Sequence, residues 1–302
     1  MAWIPTPRTH RALTRLKRRF GPPPPPAEAP DRARELSRPP SDDAFVTGNG
    51  FAAQCRFVLN YDSLETNEAV DNNWWFCRSD SLEYFFARLA PRDRYVLFTH
   101  NSDRTIGSRF RSQLDDRRLV AWLAQNVELE HPKLHAIPIG LANPHWLHGD
   151  QQLLQTVIEA RLPKNRLFDV SFNVETNPAA RGYCLERTGL SQEERLSFEP
   201  YLRRLAQAYF CICPRGAGID AHRMWEALAV GVLPVVTRSV LTQQHPDLPM
   251  IVLDDWSEFD SAAFTLDLYS RVWGEWTPNA LRMDRYIERV RAKIGGVSST
   301  VR

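Results

Sequence analysis

Cysteine is scarce and odd in number: Cys55, Cys77, Cys184, Cys211 and Cys213 stand in 302 residues. That usage argues against a secreted disulfide framework and points to a reducing compartment, the cytoplasm. No window holds the ~20 consecutive apolar residues of a membrane span. The first twenty residues are basic but contain no apolar stretch of the signal-peptide kind. A strong charge of one sign is also missing, the formal net charge being +2. This balance hides an asymmetry. Residues 1–40 carry nine Arg and Lys against three Asp and Glu, and the remainder is net −4. The folded part is therefore not a basic nucleic-acid binder. There is no internal repeat. His131, His135 and His148 are not at metal-ligand spacing, and the Cys211/Cys213 pair has no second ligand pair nearby, so no metal site is expected.

What is present begins with an arm. Ten of the 22 prolines fall within residues 1–42, including the run Pro22 to Pro26. Such a segment cannot bury a core and is expected to be disordered. Within it Leu13, Leu16 and Phe20 alternate with Arg11, Arg15, Lys17, Arg18 and Arg19. The commoner reading is a solvated tail; the other is a weak anchor at a membrane surface or partner.

From about residue 43 short apolar runs alternate with helical stretches. Strands are expected at Phe57 to Leu59, Trp74 to Cys77, Tyr95 to Phe98 and Leu134 to Gly140, with helices at Ser81 to Leu89 and Arg117 to Ala124. A second series has strands at Phe168 to Val174, Phe210 to Cys213, Val232 to Val236 and Met250 to Leu253. Its helices start at Arg181 and span Tyr201 to Tyr209 and Met224 to Val230, and Arg282 to Ile294 closes the chain. Strand–helix alternation implies βαβ units and mostly parallel sheets. The expected architecture is α/β, with two Rossmann-type domains facing a cleft. Residues 43–150 form the first and 151–302 the second, with a boundary near 145–165.

The most informative stretch runs from Phe210 to Val236 in the order strand, glycine loop, helix, turn, strand. The loop Pro214 to Asp220 sits at the carboxyl end of a strand, where open α/β sheets bind ligands. Gly216 and Gly218 let backbone approach a ligand, and Asp220 is expected to cap the following helix. Free N–H groups and the positive dipole end at that helix start suit a diphosphate. Arg215 and Arg223 add charged donors. His222, Arg223 and Glu226 share one helix face, with Glu226 placed to accept from a ribose. The competing reading is an ordinary glycine loop beside a helix-start salt bridge.

The segment CPRGAGIDAHRMWEALAVGVLPVV closely resembles the donor-binding motif of exostosin-like glycosyltransferases. Flanking pieces at Ser171 to Arg181, Leu248 to Glu258 and Leu134 to Asn143 are similar to that family too. The resemblance covers roughly residues 75–258. It implies a GT-B architecture with the donor held by the C-terminal domain, and inverting, metal-independent transfer from a UDP-sugar. The UDP-sugar is a co-substrate, and no cofactor is expected. The absence of an Asp-x-Asp triplet agrees with that implication. By resemblance Arg181 and Arg215 meet the diphosphate and Glu226 the ribose, while Asn177, His222 and Arg223 line the pocket with Pro214, Gly216, Gly218 and Asp220. The family's eukaryotic members are often anchored in the Golgi; the lack of an anchor here favours a soluble enzyme.

Inverting transfer needs a base on the face opposite the nucleotide. Asp103 is the first candidate, with His100 and Asp80 behind it, all at strand ends of the first domain. Asn143, His145 and His148 are candidates to face the acceptor, a glycan or glycolipid. The alternatives are a sugar-nucleotide epimerase on the same fold and a non-catalytic nucleotide-sugar-binding scaffold.

Overall fold

The computed structural model describes residues 44–61 and 63–299, with side chains through Ile294. The arm expected at residues 1–42 lies outside the described residues.

Two sheets carry the fold. The first has the order β2-β1-β3-β4-β5-β6. Its strands are β1 (Phe57–Asn60), β2 (Ser63–Thr66), β3 (Trp74–Arg78), β4 (Tyr95–His100), β5 (Leu119–Ala124) and β6 (Leu134–Ala136). All neighbours are parallel except the β1–β2 hairpin. The second sheet runs β10-β9-β8-β7 and is wholly parallel. It consists of β7 (Arg166–Asp169), β8 (Ala208–Ile212), β9 (Leu233–Thr237) and β10 (Ile251–Leu253).

The alternation of strand side chains sorts the core into layers. In β4, Tyr95 and Leu97 face one apolar cluster while Val96 and Phe98 face another. In β8, Phe210 and Ile212 point one way and Cys211 the other, joined by Cys213 just past the strand. All five cysteines are buried thiols.

The expected helix at Arg117 to Ala124 is instead strand β5. Its run Leu-Val-Ala-Trp-Leu-Ala has no period-2 alternation because a central parallel strand is covered on both faces. Five of its six residues are buried. A short continuous apolar run does not distinguish a buried strand from a helix. The strand expected at Leu134 to Gly140 ends at Ala136, and residues 137–140 leave the sheet to cross towards the second one.

The strand order ascends along both sheets apart from β2, with no reversal inside either. Right-handed crossovers taken in one direction stack their connections on one face. In the first sheet these are the helical turns around Leu82, Phe85, Phe110 and Leu114, all buried in one cluster. The other face then needs a cover from elsewhere. Helix α1 (Gly48–Ala53), ahead of β1, supplies Phe51 and Ala52. The last helix, Met283–Ser299, supplies Met283, Tyr286, Ile287, Val290 and Ile294. The closing helix assigned to the second domain thus packs on the first sheet.

Between the sheets come α2 (Gln151–Glu159), then α3 (Pro178–Thr188) and α4 (Phe198–Ala206) on the way to β8. Helix α5 (His222–Ala229) joins β8 to β9, and α6 (Val240–Gln244) joins β9 to β10. One apolar cluster runs through both halves, from Leu134 and Ala136 to Leu202, Met224 and Leu241. Polar pins cross the same seam. Gln244 Oε1 accepts from the Ala136 N–H at 2.8 Å, and His245 Nε2 donates to the Ala136 carbonyl at 2.8 Å.

Candidate nucleotide-sugar cleft

A cleft of about 880 Å³ opens between the halves. Its walls are built from residues at and just beyond strand ends: Asp103 after β4, Ile139 after β6, Ser171 to Asn173 after β7, and Gly216 to Ala221 after β8. The carboxyl ends of four parallel strands therefore converge on it, which is where α/β proteins bind ligands. Because neither sheet reverses its order, the site belongs to the meeting of two sheets.

The glycine loop is held by the opposite half. Asn126, two residues beyond β5, adopts positive φ (56°). Its Oδ1 accepts from the N–H groups of Ile219 at 2.9 Å and Asp220 at 3.1 Å. A Cβ on Gly218 would come within 2.7 Å of the Asn126 side chain, so this contact requires glycine. Asp220 does not cap the helix as expected; the capping position is Ala221. The Asp220 carboxylate is buried and accepts from Ile139 N–H at 2.7 Å, Ala221 N–H at 2.8 Å and Trp225 Nε1–H at about 3 Å. Burial raises its pKa to about 7, against the pull of these three donors. It ties loop, helix and the first half together. The N–H groups of Gly216, Ala217 and Gly218 donate to nothing among the described residues, and all three residues line the cleft. Adjacent free N–H groups in such a loop form an anion cradle.

The arginines divide into structural and available ones. Arg223 was expected to meet the ligand, and it does line the cleft, but with no donor to spare. Its guanidinium is instead committed, pairing with buried Asp169 and donating to the Ser171 carbonyl at 2.7 Å, the Ile212 carbonyl at 3.1 Å and Tyr201 Oη at 3.3 Å. Burial pushes the Asp169 pKa up, but Arg223, Ser171 and Arg204 outweigh it and the net shift is downward. Arg215 is exposed on the other side of the loop, at a small cavity of about 80 Å³ shared with Thr237 and Arg238. It does not line the large cleft.

Arg181 does line it. This side chain is buried, with Nε donating to the Arg215 carbonyl at 3.2 Å and Nη1 to the Asn173 carbonyl. Burial, and then the charge of Arg223, lower its pKa. A bound anion would offset both costs. The second available cation is Arg195, exposed on the cleft wall with no ion pair or hydrogen bond to any described residue. It lies in the polar stretch SQEERLS before α4, which carries no helical or strand period, so sequence reading passed over it. Asn126 was hidden for a different reason: with β5 read as a helix, the residue after it was not at a strand end.

Of the other expected residues, Asn177 serves the scaffold. It caps α3 by accepting from Ala180 N–H at 3.1 Å and donates to the Gly216 carbonyl at 2.8 Å. Pro214 is buried beneath the loop. Glu226 lies on the cleft wall but is only 5% exposed, with Oε2 accepting from Tyr201 Oη–H at 2.7 Å. Burial raises its pKa, opposed by Tyr201 and Arg223. Its Oε1 has no partner among the described residues and is open to a ligand hydroxyl. His222 donates from Nδ1 to the Gly140 carbonyl at 2.8 Å, leaving Nε2 as an acceptor; burial lowers its pKa to about 4.

The three base candidates separate cleanly. His100 is 2% exposed, with Nε2–H donating to the Pro138 carbonyl at 3.0 Å and Nδ1 accepting from Asn101 N–H at 2.7 Å. Both ring nitrogens are occupied and burial lowers the pKa to about 4, so it is a buried strut beneath the cleft. Asp80 is exposed, accepts from Ser102 Oγ–H at 2.7 Å and does not line the cleft. Asp103 is an exposed residue that lines it, and partial desolvation by the cleft wall, then the charge of Asp80, raise its pKa.

Residues 172–262 match the model of the RXYLT1 C-terminal domain family. This stretch contains α3, the glycine loop, α5 and β9. No curated protein matches the chain. Among solved structures the chain is similar to AviGT4, a glycosyltransferase involved in avilamycin A biosynthesis, at 14% identity. That likeness covers 72% of this chain and 78% of the other, with a TM-score of 0.32.

Proposed function

We propose that the chain is a glycosyltransferase that takes a UDP-sugar in the interdomain cleft and passes the sugar to a hydroxyl acceptor, with inversion and without a metal. The observation that carries this reading is the composition of the cleft wall after β7 and β8. Free N–H groups at Gly216 to Gly218, the buried guanidinium of Arg181 and the open guanidinium of Arg195 lie on the same wall as the carboxylate of Glu226. This is a set for a diphosphate and, beside it, a sugar hydroxyl. Positive groups aimed at the leaving diphosphate also supply the charge compensation that transfer requires, which a divalent cation would otherwise provide.

Asp103 comes from the opposite half and is the general base in this account. The direction of its pKa shift, upward, makes the carboxylate a better proton acceptor. It would take the acceptor hydroxyl proton as that oxygen attacks the anomeric carbon. The bond from that carbon to the diphosphate oxygen breaks with its electron pair, leaving UDP against Arg181 and Arg195.

The test is product analysis. Purified protein is incubated with single UDP-sugars and a glycan acceptor library, with and without EDTA, and UDP and glycosylated acceptor are measured together. The expected result is stoichiometric UDP and glycoside formation of inverted anomeric configuration, insensitive to EDTA and reduced at least ~100-fold in Asp103→Asn. UDP-sugar binding without turnover would make the chain a scaffold, and a changed sugar still attached to UDP would make it an epimerase.

A further inference from the structure

Most large apolar side chains are buried, but Leu147 is 95% exposed and its neighbour Trp146 45%. They sit together on the loop 143–149, at the mouth of the cleft, and Leu147 and His148 form part of its wall. This loop is built rather than loose. Asn143 accepts from Asn49 N–H at 2.8 Å and donates to Asn101 Oδ1 at 3.0 Å. Within the loop, Trp146 N–H donates to the Asn143 carbonyl at 3.0 Å and Gly149 N–H to the Trp146 carbonyl at 2.9 Å. A Cβ at position 149 would stand 2.0 Å from the Asn143 carbonyl oxygen, so only glycine closes the turn. An apolar pair displayed in water by an anchored turn is pre-organised for contact.

The rings around Trp146 lead inward. Its indole lies 5.0 Å from the His145 ring and 6.1 Å from His148, nearly parallel to the latter at 25°. His148 in turn lies 6.0 Å from His222, on the wall of the cleft. The result is an apolar patch edged by tilted imidazoles that reaches the cleft wall through Leu147 and His148. A pyranose ring presents the matching surface: a C–H face for the indole and a rim of hydroxyls for the imidazoles. A lipid surface or a protein partner needs a wider apolar area than two residues interrupted by histidines.

We infer that Trp146, with Leu147 and His148 beside it, is the acceptor platform, stacking on a sugar ring of a glycan acceptor and directing the next hydroxyl into the cleft. This rests on the transferase reading above and names the acceptor class for that site. Trp146 is a positioning residue here.

The experiment is saturation-transfer NMR. Wild type, Trp146→Ala and Trp146→Tyr are titrated, with UDP present, with methyl β-glycosides of glucose, galactose, mannose and xylose and with their β-linked disaccharides. At least one sugar is expected to bind wild type, about tenfold more weakly to Trp146→Ala and within about threefold to Trp146→Tyr. UDP affinity and melting temperature should be the same in all three proteins. No sugar bound by wild type, or equal binding by Trp146→Ala, overturns the assignment. So does Trp146-dependent co-sedimentation with phosphatidylcholine vesicles in place of sugar binding. Failure of the donor reading shows separately, as wild type that binds the sugar through Trp146 but not UDP.

Discussion

At the scale of the residue, the function of each arginine depends on what else it touches. Arg181, Arg195, Arg215 and Arg223 all lie within or close to the glycine-loop region, yet only the first two face the cleft with donors to spare. Arg223 is bound up with Asp169, Ser171, Ile212 and Tyr201, and Arg215 faces the other way. Arg195→Ala is therefore expected to weaken UDP about tenfold, the loss of one charge-assisted hydrogen bond, and Arg215→Ala to change it less than about twofold. Isothermal titration checks both; the reverse ranking would move the diphosphate to the smaller cavity. Legibility divides along the same line. The loop and its glycines were readable because a strand–loop–helix grammar puts them at a strand end, and Glu226 from its helix spacing, whereas Arg181 came from the family resemblance alone. Whether a given guanidinium is free or paired depends on partners 52 to 54 residues away, such as Ser171 and Asp169 for Arg223, and no local pattern encodes that.

At the scale of the element, the loop after β8 keeps its shape because β5 ends opposite it. Asn126 in its left-handed conformation occupies the space a side chain at Gly218 would need. Gly218→Ala should destabilise the protein by about 1–3 kcal/mol and lower nucleotide affinity with it. Asn126→Ala loses the two acceptor contacts but opens that space. The double variant should accordingly be less destabilised than the sum of the singles, by roughly 1 kcal/mol. Chemical denaturation of the four proteins measures this, and strict additivity would mean that the two residues do not share one contact. The Asn126 partnership was illegible for a specific reason. A run buried on both faces carries no period, so β5 read as a helix, and with it went the strand end that carries Asn126. The long closing helix was legible from its spacing, but its partner was not. Its docking on the first sheet follows from a strand order that sequence alone does not reveal.

At the scale of the whole molecule, buried neutral histidines join the halves and their supports. Burial lowers the pKa of His100, His135 and His222 to about 4 in each case. In the unfolded chain each takes a proton near pH ~6.5. Below that pH the unfolded state binds more protons, so stability falls as pH drops from about 6.5 towards 4. From about pH 7.5 to 5.5 this amounts to about 1 kcal/mol for each histidine. Asp220 acts in the opposite sense: with its folded pKa raised to about 7, it gains stability over the same interval. Three histidines against one carboxyl leave a net loss of roughly 1–2 kcal/mol. Melting curves across this range should shift downward in wild type, and by less in His100→Gln. An upward shift in wild type would show that these imidazoles are not held neutral.

The most direct measurement is the thermal unfolding of the full chain with UDP, GDP and CMP at saturating concentration, repeated in Arg181→Ala. A ligand at ~100 times its dissociation constant stabilises by about 2.7 kcal/mol, or roughly 4–5 °C for a protein of this size. That shift is expected for UDP alone, and its loss in Arg181→Ala. No shift with any nucleotide, or an equal shift in the variant, would contradict a nucleotide-sugar site in this cleft.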